Sequence, residues 1–155
     1  MRLIVAAALI VSCLAGVALA QQSEAFDTSN IQWEQAPELR EVFVRYIPDR
    51  AMREEVSGAA LVCCTFDRRR RLNCEVARET QEGYGFGQAT IRIMRLYRVS
   101  ETSYAEWQAA SQPRISRTMR WYVGEPTPEL HARLAEFGES VRGVCTAPPA
   151  EQDSN

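Results

Sequence analysis

No lysine occurs in this chain: all eighteen basic residues are arginine, and twenty acidic residues offset them to a formal net charge of -2. That balance excludes a surface built around nucleic acid, because phosphate binding needs an excess of basic charge to release counterions. Histidine is almost as scarce, with His131 alone, and no Cys-x-x-Cys pair occurs, so a zinc site lacks both ligands and spacing. The expectation is no metal and no cofactor. Internal repeats and long low-complexity linkers are missing too, which leaves a single domain as the reading of 155 residues. A composition that is 46% hydrophobic and 25% charged is that of an ordinary globular protein.

The one long apolar run is at the start. Arg2 supplies a minimal positive region, "LIVAAALIVSCLAGVALA" follows, and Ala18-Leu19-Ala20 has the small-x-small form that signal peptidase cleaves. Residues 1–20 are therefore read as a secretory signal cleaved after Ala20, with a periplasmic destination. A retained membrane anchor and lipidation at Cys13 are the two rivals. Once Cys13 leaves with the signal, Cys63, Cys64, Cys74 and Cys145 remain. An even number in an oxidising compartment points to two disulfides.

Residues 21–32 and 146–155 are polar with no apolar period, and are expected to be loose ends around a folded domain at 33–145. Within it, Leu39, Val42, Phe43 and Tyr46 recur at helical intervals until Pro48, and a single turn is expected from Asp49 to Glu55. The period then changes to two. Ala60, Val62, Cys64 and Phe66 share one face of a strand, and Leu72, Cys74 and Val76 share one face of a second. A four-residue loop between them sets Cys63 opposite Cys74, whereas a loop longer or shorter by one residue sets Cys64 opposite Cys74. The apolar faces favour the latter, so Cys64 with Cys74 and Cys63 with Cys145 is the preferred connectivity among three.

"EGYGFG" at 82–87 reads as a glycine turn into an amphipathic helix. Its Gly-x-Gly-x-Gly string lacks the Lys-Ser/Thr ending of a phosphate loop. Residues 100–116 are polar and irregular apart from Trp107, and "ISRTMRWYV" at 115–123 alternates as a third strand. Thr127 caps a last helix with Pro128 at its first position and Leu130, Leu134, Phe137 and Val141 along its buried stripe. The order α, β, β, α, β, α predicts an α+β domain: a small three-stranded antiparallel sheet with helices on one face, stapled by disulfides.

These residues resemble the C-terminal domain of the TonB family. "IPDRAMREEVSG" is similar to the family's Tyr-Pro-x-x-Ala with a later glycine, through Pro48, Ala51 and Gly58. "GAALVCCTFDRRRRLNCEVARE" is similar to its first hairpin through Cys64, Leu72, Cys74, Val76 and Glu79. "GYGFGQATIRIMRLYRV" is similar to its Gly-Phe-Gly turn and helix through Gly85, Phe86, Gly87, Ala89 and Leu96. The resemblance covers about residues 33–123. It departs from the family in having no Pro-rich spacer, arginine in place of the usual turn glycine, and an extra helix from Thr127.

The resemblance implies partner recognition by strand addition, with a peptide segment such as the N-terminal part of an outer-membrane receptor pairing along an exposed edge. The edge it points to is the third strand at Met119, Arg120, Trp121 and Tyr122, with Arg120 and Tyr122 facing one side and Met119 and Trp121 the other. The expected function is a non-catalytic periplasmic protein-binding module assisting receptor-dependent transport, with no nucleic acid and no small-molecule substrate, as a monomer or an edge-to-edge dimer. Two other readings stand beside it: a disulfide-stapled envelope structural or stress protein without a transport role, and a small exported enzyme using Cys63 or Cys64 as nucleophile and His131 as base.

Mass spectrometry of the exported protein is expected to show Gln21 as the first residue; a retained Met1, or a lipid on Cys13, contradicts the cleaved-signal reading.

Overall fold

The computed structural model describes residues 26–146. The signal read at 1–20, Cys13, and all but Thr146 of the tail read at 146–155 lie outside the described residues. The elements run β1 (Trp33–Gln35), α1 (Leu39–Tyr46), α2 (Asp49–Arg53), β2 (Gly58–Phe66), β3 (Leu72–Glu79), α3 (Phe86–Met94), β4 (Arg98–Val99), α4 (Glu101–Ala109), β5 (Ile115–Trp121) and α5 (Pro128–Ser140). The chain is an α+β fold in which β3, β2 and β5 form an antiparallel sheet in that order, and β1 and β4 form a separate two-stranded ribbon.

β2 lies between its two neighbours, and every residue in it but Thr65 is buried. Its alternation serves two cores. Ala60, Val62, Cys64 and Phe66 point into the larger one, with Phe86 and Ile93 of α3, Trp107 of α4 and Trp121 of β5. Leu61 and Cys63 point the other way, against Val141, Cys145 and the partly buried Phe137 at the end of the chain. Helices therefore cover both faces of the sheet, α5 standing alone on the second, where a single helical layer was expected. The reason is visible in β2: its near-continuous apolar run leaves no face that water can solvate.

The arginine turn occupies five residues, Asp67 to Arg71, so Phe66 pairs with Leu72 and Cys64 with Cys74. An irregularity between Leu61 and Val62 then shifts the ladder, bringing Val62 opposite Val76 and Leu61 opposite Arg78.

Three further elements escaped the sequence reading. α4 has no apolar period, because only Ser103 and Trp107 of its nine residues are buried. Its start is nonetheless marked, since the Ser100 hydroxyl accepts the Ser103 amide at 3.2 Å and caps the helix. β1 and β4 are too short to display a period, and they form because the Ser100 amide reaches Gln32 O at 2.8 Å and Trp33 pairs with Val99. Ile31, placed in the loose segment by its polar surroundings, belongs to the larger core instead.

The buried indoles are satisfied. Trp121 Nε1 donates to Thr90 Oγ1 at 3.1 Å, that hydroxyl donates to Phe86 O at 2.8 Å, and Trp107 Nε1 donates to Pro113 O at 2.8 Å.

Gly87 stands where α3 presses on β3: a Cβ there would lie 2.6 Å from both methyls of Val76. Gly138 in α5 has nothing within 4 Å of the same position. Denaturant unfolding is expected to show Gly87→Ala losing about 1–3 kcal/mol by overpacking, and Gly138→Ala gaining roughly 0.5–1 kcal/mol from helix propensity.

Candidate functional site

β5, like β3, is an edge of the sheet, since β2 is its one strand neighbour among the described residues. Which of its backbone groups face outward follows from β2. Ala59 O accepts the Thr80 amide on the β3 side, and alternation then turns Ala60, Val62 and Cys64 toward β5. Their partners Met119, Arg117 and Ile115 must turn toward β2. Ser116, Thr118 and Arg120 therefore direct their N–H and C=O groups away from the sheet. Among the described residues no backbone hydrogen bond outside the β2 ladder reaches any of the three, and Ser116 O accepts only the guanidinium of neighbouring Arg117 at 3.4 Å.

Of the four residues expected to mark this edge, Trp121 is fully buried and Met119 is buried against the larger core. Their side chains hold the strand rather than face a partner. Arg120 is exposed and enters no ion pair among the described residues. Tyr122 is half-buried, with its hydroxyl 3.0 Å from His131 Nδ1 on α5. Arg117 lies 5.7 Å from the Trp33 ring centroid, and burial pulls its pKa down while nearby Tyr97 opposes the shift.

Past its last residue β5 runs into an apolar groove of about 200 Å³ lined by Phe43, Val44, Ile47, Met52, Tyr122 and Val123. Val44 is 81% and Met52 50% exposed there, which is unusual for large apolar side chains lying together. The sequence offered only a faint signal for this groove. Val44 falls off the apolar stripe of α1 and Met52 sits in the turn after Pro48, so both are apolar residues without a buried face to occupy.

The four cysteines among the described residues are all bonded: Cys64 to Cys74 and Cys63 to Cys145. Cys63 and Cys64, the nucleophiles of the catalytic alternative, are thus both in disulfides, and His131 lies against the Tyr122 hydroxyl. The glycine string is also accounted for. Gly83 and Gly85 adopt positive φ of 82° and 83°, and the Gly87 amide at the start of α3 donates to Glu79 Oε2 at 2.8 Å. The helix end that an external anion would use is thus held by the protein's own carboxylate.

No group of three or more metal-ligating side chains occurs among the described residues, and no helix among them is long and apolar enough to cross a membrane. No protein-family model matches the chain, and no curated protein or solved structure matches it either.

The native protein is expected to take up no alkylating label at the four bonded cysteines until it is reduced. In the loop-entropy account, removing the Cys63–Cys145 pair by double substitution lowers stability by roughly 4–5 kcal/mol and removing Cys64–Cys74 by roughly 3 kcal/mol, both read by denaturant unfolding.

Proposed function

We propose that this protein is a non-catalytic, exported protein-binding module to which an extended peptide adds along β5, in the manner of the TonB C-terminal domains that its sequence resembles. The observation that carries the reading is the open side of β5. Three alternate residues, Ser116, Thr118 and Arg120, present backbone donors and acceptors that no described strand pairs, on a strand whose other side is fixed to the buried centre of the sheet. Main-chain pairing supplies affinity in such complexes and pockets beside the strand supply selectivity. The Phe43, Val44, Ile47 and Met52 groove lies where the added strand leaves the sheet, and accepts an apolar side chain.

The disulfides fit an oxidising compartment, and with the signal read at residues 1–20 they support a periplasmic site of action. A peptide from an outer-membrane receptor is the partner that the resemblance suggests.

NMR titration with N-terminal peptides of outer-membrane receptors is expected to shift the amides of Ser116, Thr118 and Arg120 first. Thr118→Pro removes one outward donor at an edge position that tolerates proline and is expected to weaken binding about tenfold, the worth of one hydrogen bond. Perturbation of other surfaces with β5 unmoved contradicts the proposal.

A further inference from the structure

The turn between β2 and β3 collects positive charge that the proposed peptide site does not use. Arg68, Arg69, Arg70 and Arg71 lie in the turn itself. Arg71 donates to Arg95 O at 3.3 Å and pairs in an isolated bridge with Arg98, bringing two more arginines beside them. Two carboxylates are in place here, and both are engaged. Asp67 Oδ1 accepts the Arg69 amide at 2.8 Å and the Arg71 amide at 2.9 Å, and Glu34 is shared between Arg70 at 2.7 Å and Arg98 at 3.7 Å. Six guanidiniums against two carboxylates leave an excess of four positive charges, in a chain whose formal net charge is -2. The remainder of the molecule is therefore net negative, and the charge distribution is strongly one-sided.

The turn is a fixed platform. Asp67 N donates to Arg71 O, Arg70 N to Asp67 O, and Val99 N to Arg70 O, each at 2.9 Å, so the tip is tied to β4 as well as to its own strands. Arg68, Arg69, Arg71 and Arg95 are all exposed, and none enters an ion pair among the described residues.

We infer that this tip is a docking surface for a phosphate-bearing anionic lipid surface. Guanidinium is matched to phosphate oxygens in pairs, and four exposed guanidiniums, three on the turn and Arg95 beside it, suit several headgroups at once. A single free phosphate is a poorer fit, because the amides of Arg69, Arg70 and Arg71 that could cradle it are already bonded to Asp67. A long nucleic acid fits poorly as well, since the net negative remainder of the chain repels it. Among the described residues the large exposed apolar side chains, Leu39, Val44 and Met52, belong to α1 and α2 and not to the tip. Association is thus electrostatic, without insertion, and screened by salt over about 10 Å at 0.1 M.

The location is compatible with peptide binding. β2 spans nine residues from Gly58, which pairs with Trp121 at the groove end, to Phe66 at the tip, or roughly 30 Å. A tip seated on a lipid surface leaves the groove at the far end and the side of β5 open between them.

Sedimentation of the folded protein with phosphatidylglycerol-containing vesicles tests this, beside pure phosphatidylcholine vesicles and a repeat in high salt. Expected is partitioning to the anionic vesicles alone, lost in high salt, and reduced at least fivefold in Arg68→Gln/Arg69→Gln with an unchanged melting temperature. A control of equal charge, Arg53→Gln/Arg133→Gln, alters exposed arginines elsewhere and is expected to bind as the parent does. Equal partitioning to both vesicle types overturns the inference, as does an equal loss in the control. Displacement from vesicles by inorganic phosphate at constant ionic strength overturns it in favour of a free-anion site.

Discussion

The structure depends on one strand being buried from both sides. β2 carries a run from Gly58 to Phe66 in which only Thr65 is not buried, and such a strand needs a neighbour on each edge and a layer on each face. The hairpin through the arginine turn supplies β3, the return of the chain supplies β5, and α1, α3 and α4 close one face. The second face is left for whatever follows β5. α5 meets that need from the end of the chain, and the Cys63–Cys145 bond ties its far end to the strand it covers.

The adjacent cysteines at the middle of β2 express the same constraint chemically. Successive residues of a strand point to opposite faces, so Cys63 and Cys64 cannot serve the same core. Cys64 closes the hairpin to Cys74 in the larger core, and Cys63 reaches back to the smaller one. What remains open among the described residues is the outer side of each flanking strand, β3 and β5, and the proposed peptide site uses that of β5. The fold pairs its central strand on both sides and its two flanking strands on one, and the proposed peptide site rests on that difference.

Much of this was legible in the letters. Period-two alternation marked β2, β3 and β5, and the proline and threonine before Leu130 marked α5. The preferred cysteine pairing followed from asking which cysteines share a face with Val62, Phe66, Leu72 and Val76. Other parts were illegible for physical reasons. α4 buries one large side chain, Trp107, so its period has nothing to repeat, and only its serine cap could have revealed it. The second helical layer was illegible because Leu61 and Cys63 make the other face of β2 apolar without saying which later segment covers it. For the candidate site, the position of the edge strand and the inward packing of Met119 and Trp121 were legible from alternation, but the groove was not. Met119 and Trp121 alternate toward the core like any strand residue, and the groove beside them is assembled from α1, α2 and the segment after β5, which no local pattern connects.

The central claim is that β2 is paired on both sides while β5 is paired on one. Amide hydrogen exchange of the free protein, resolved by NMR, measures that directly, because ladder amides at the sheet centre exchange only through near-global opening. The account predicts the slowest exchange at Val62 and Cys64 and rapid exchange at Ser116, Thr118 and Arg120, alternating with protected Arg117 and Met119. Uniform protection along β5 in the free protein would show its outer side already paired, and would contradict the account.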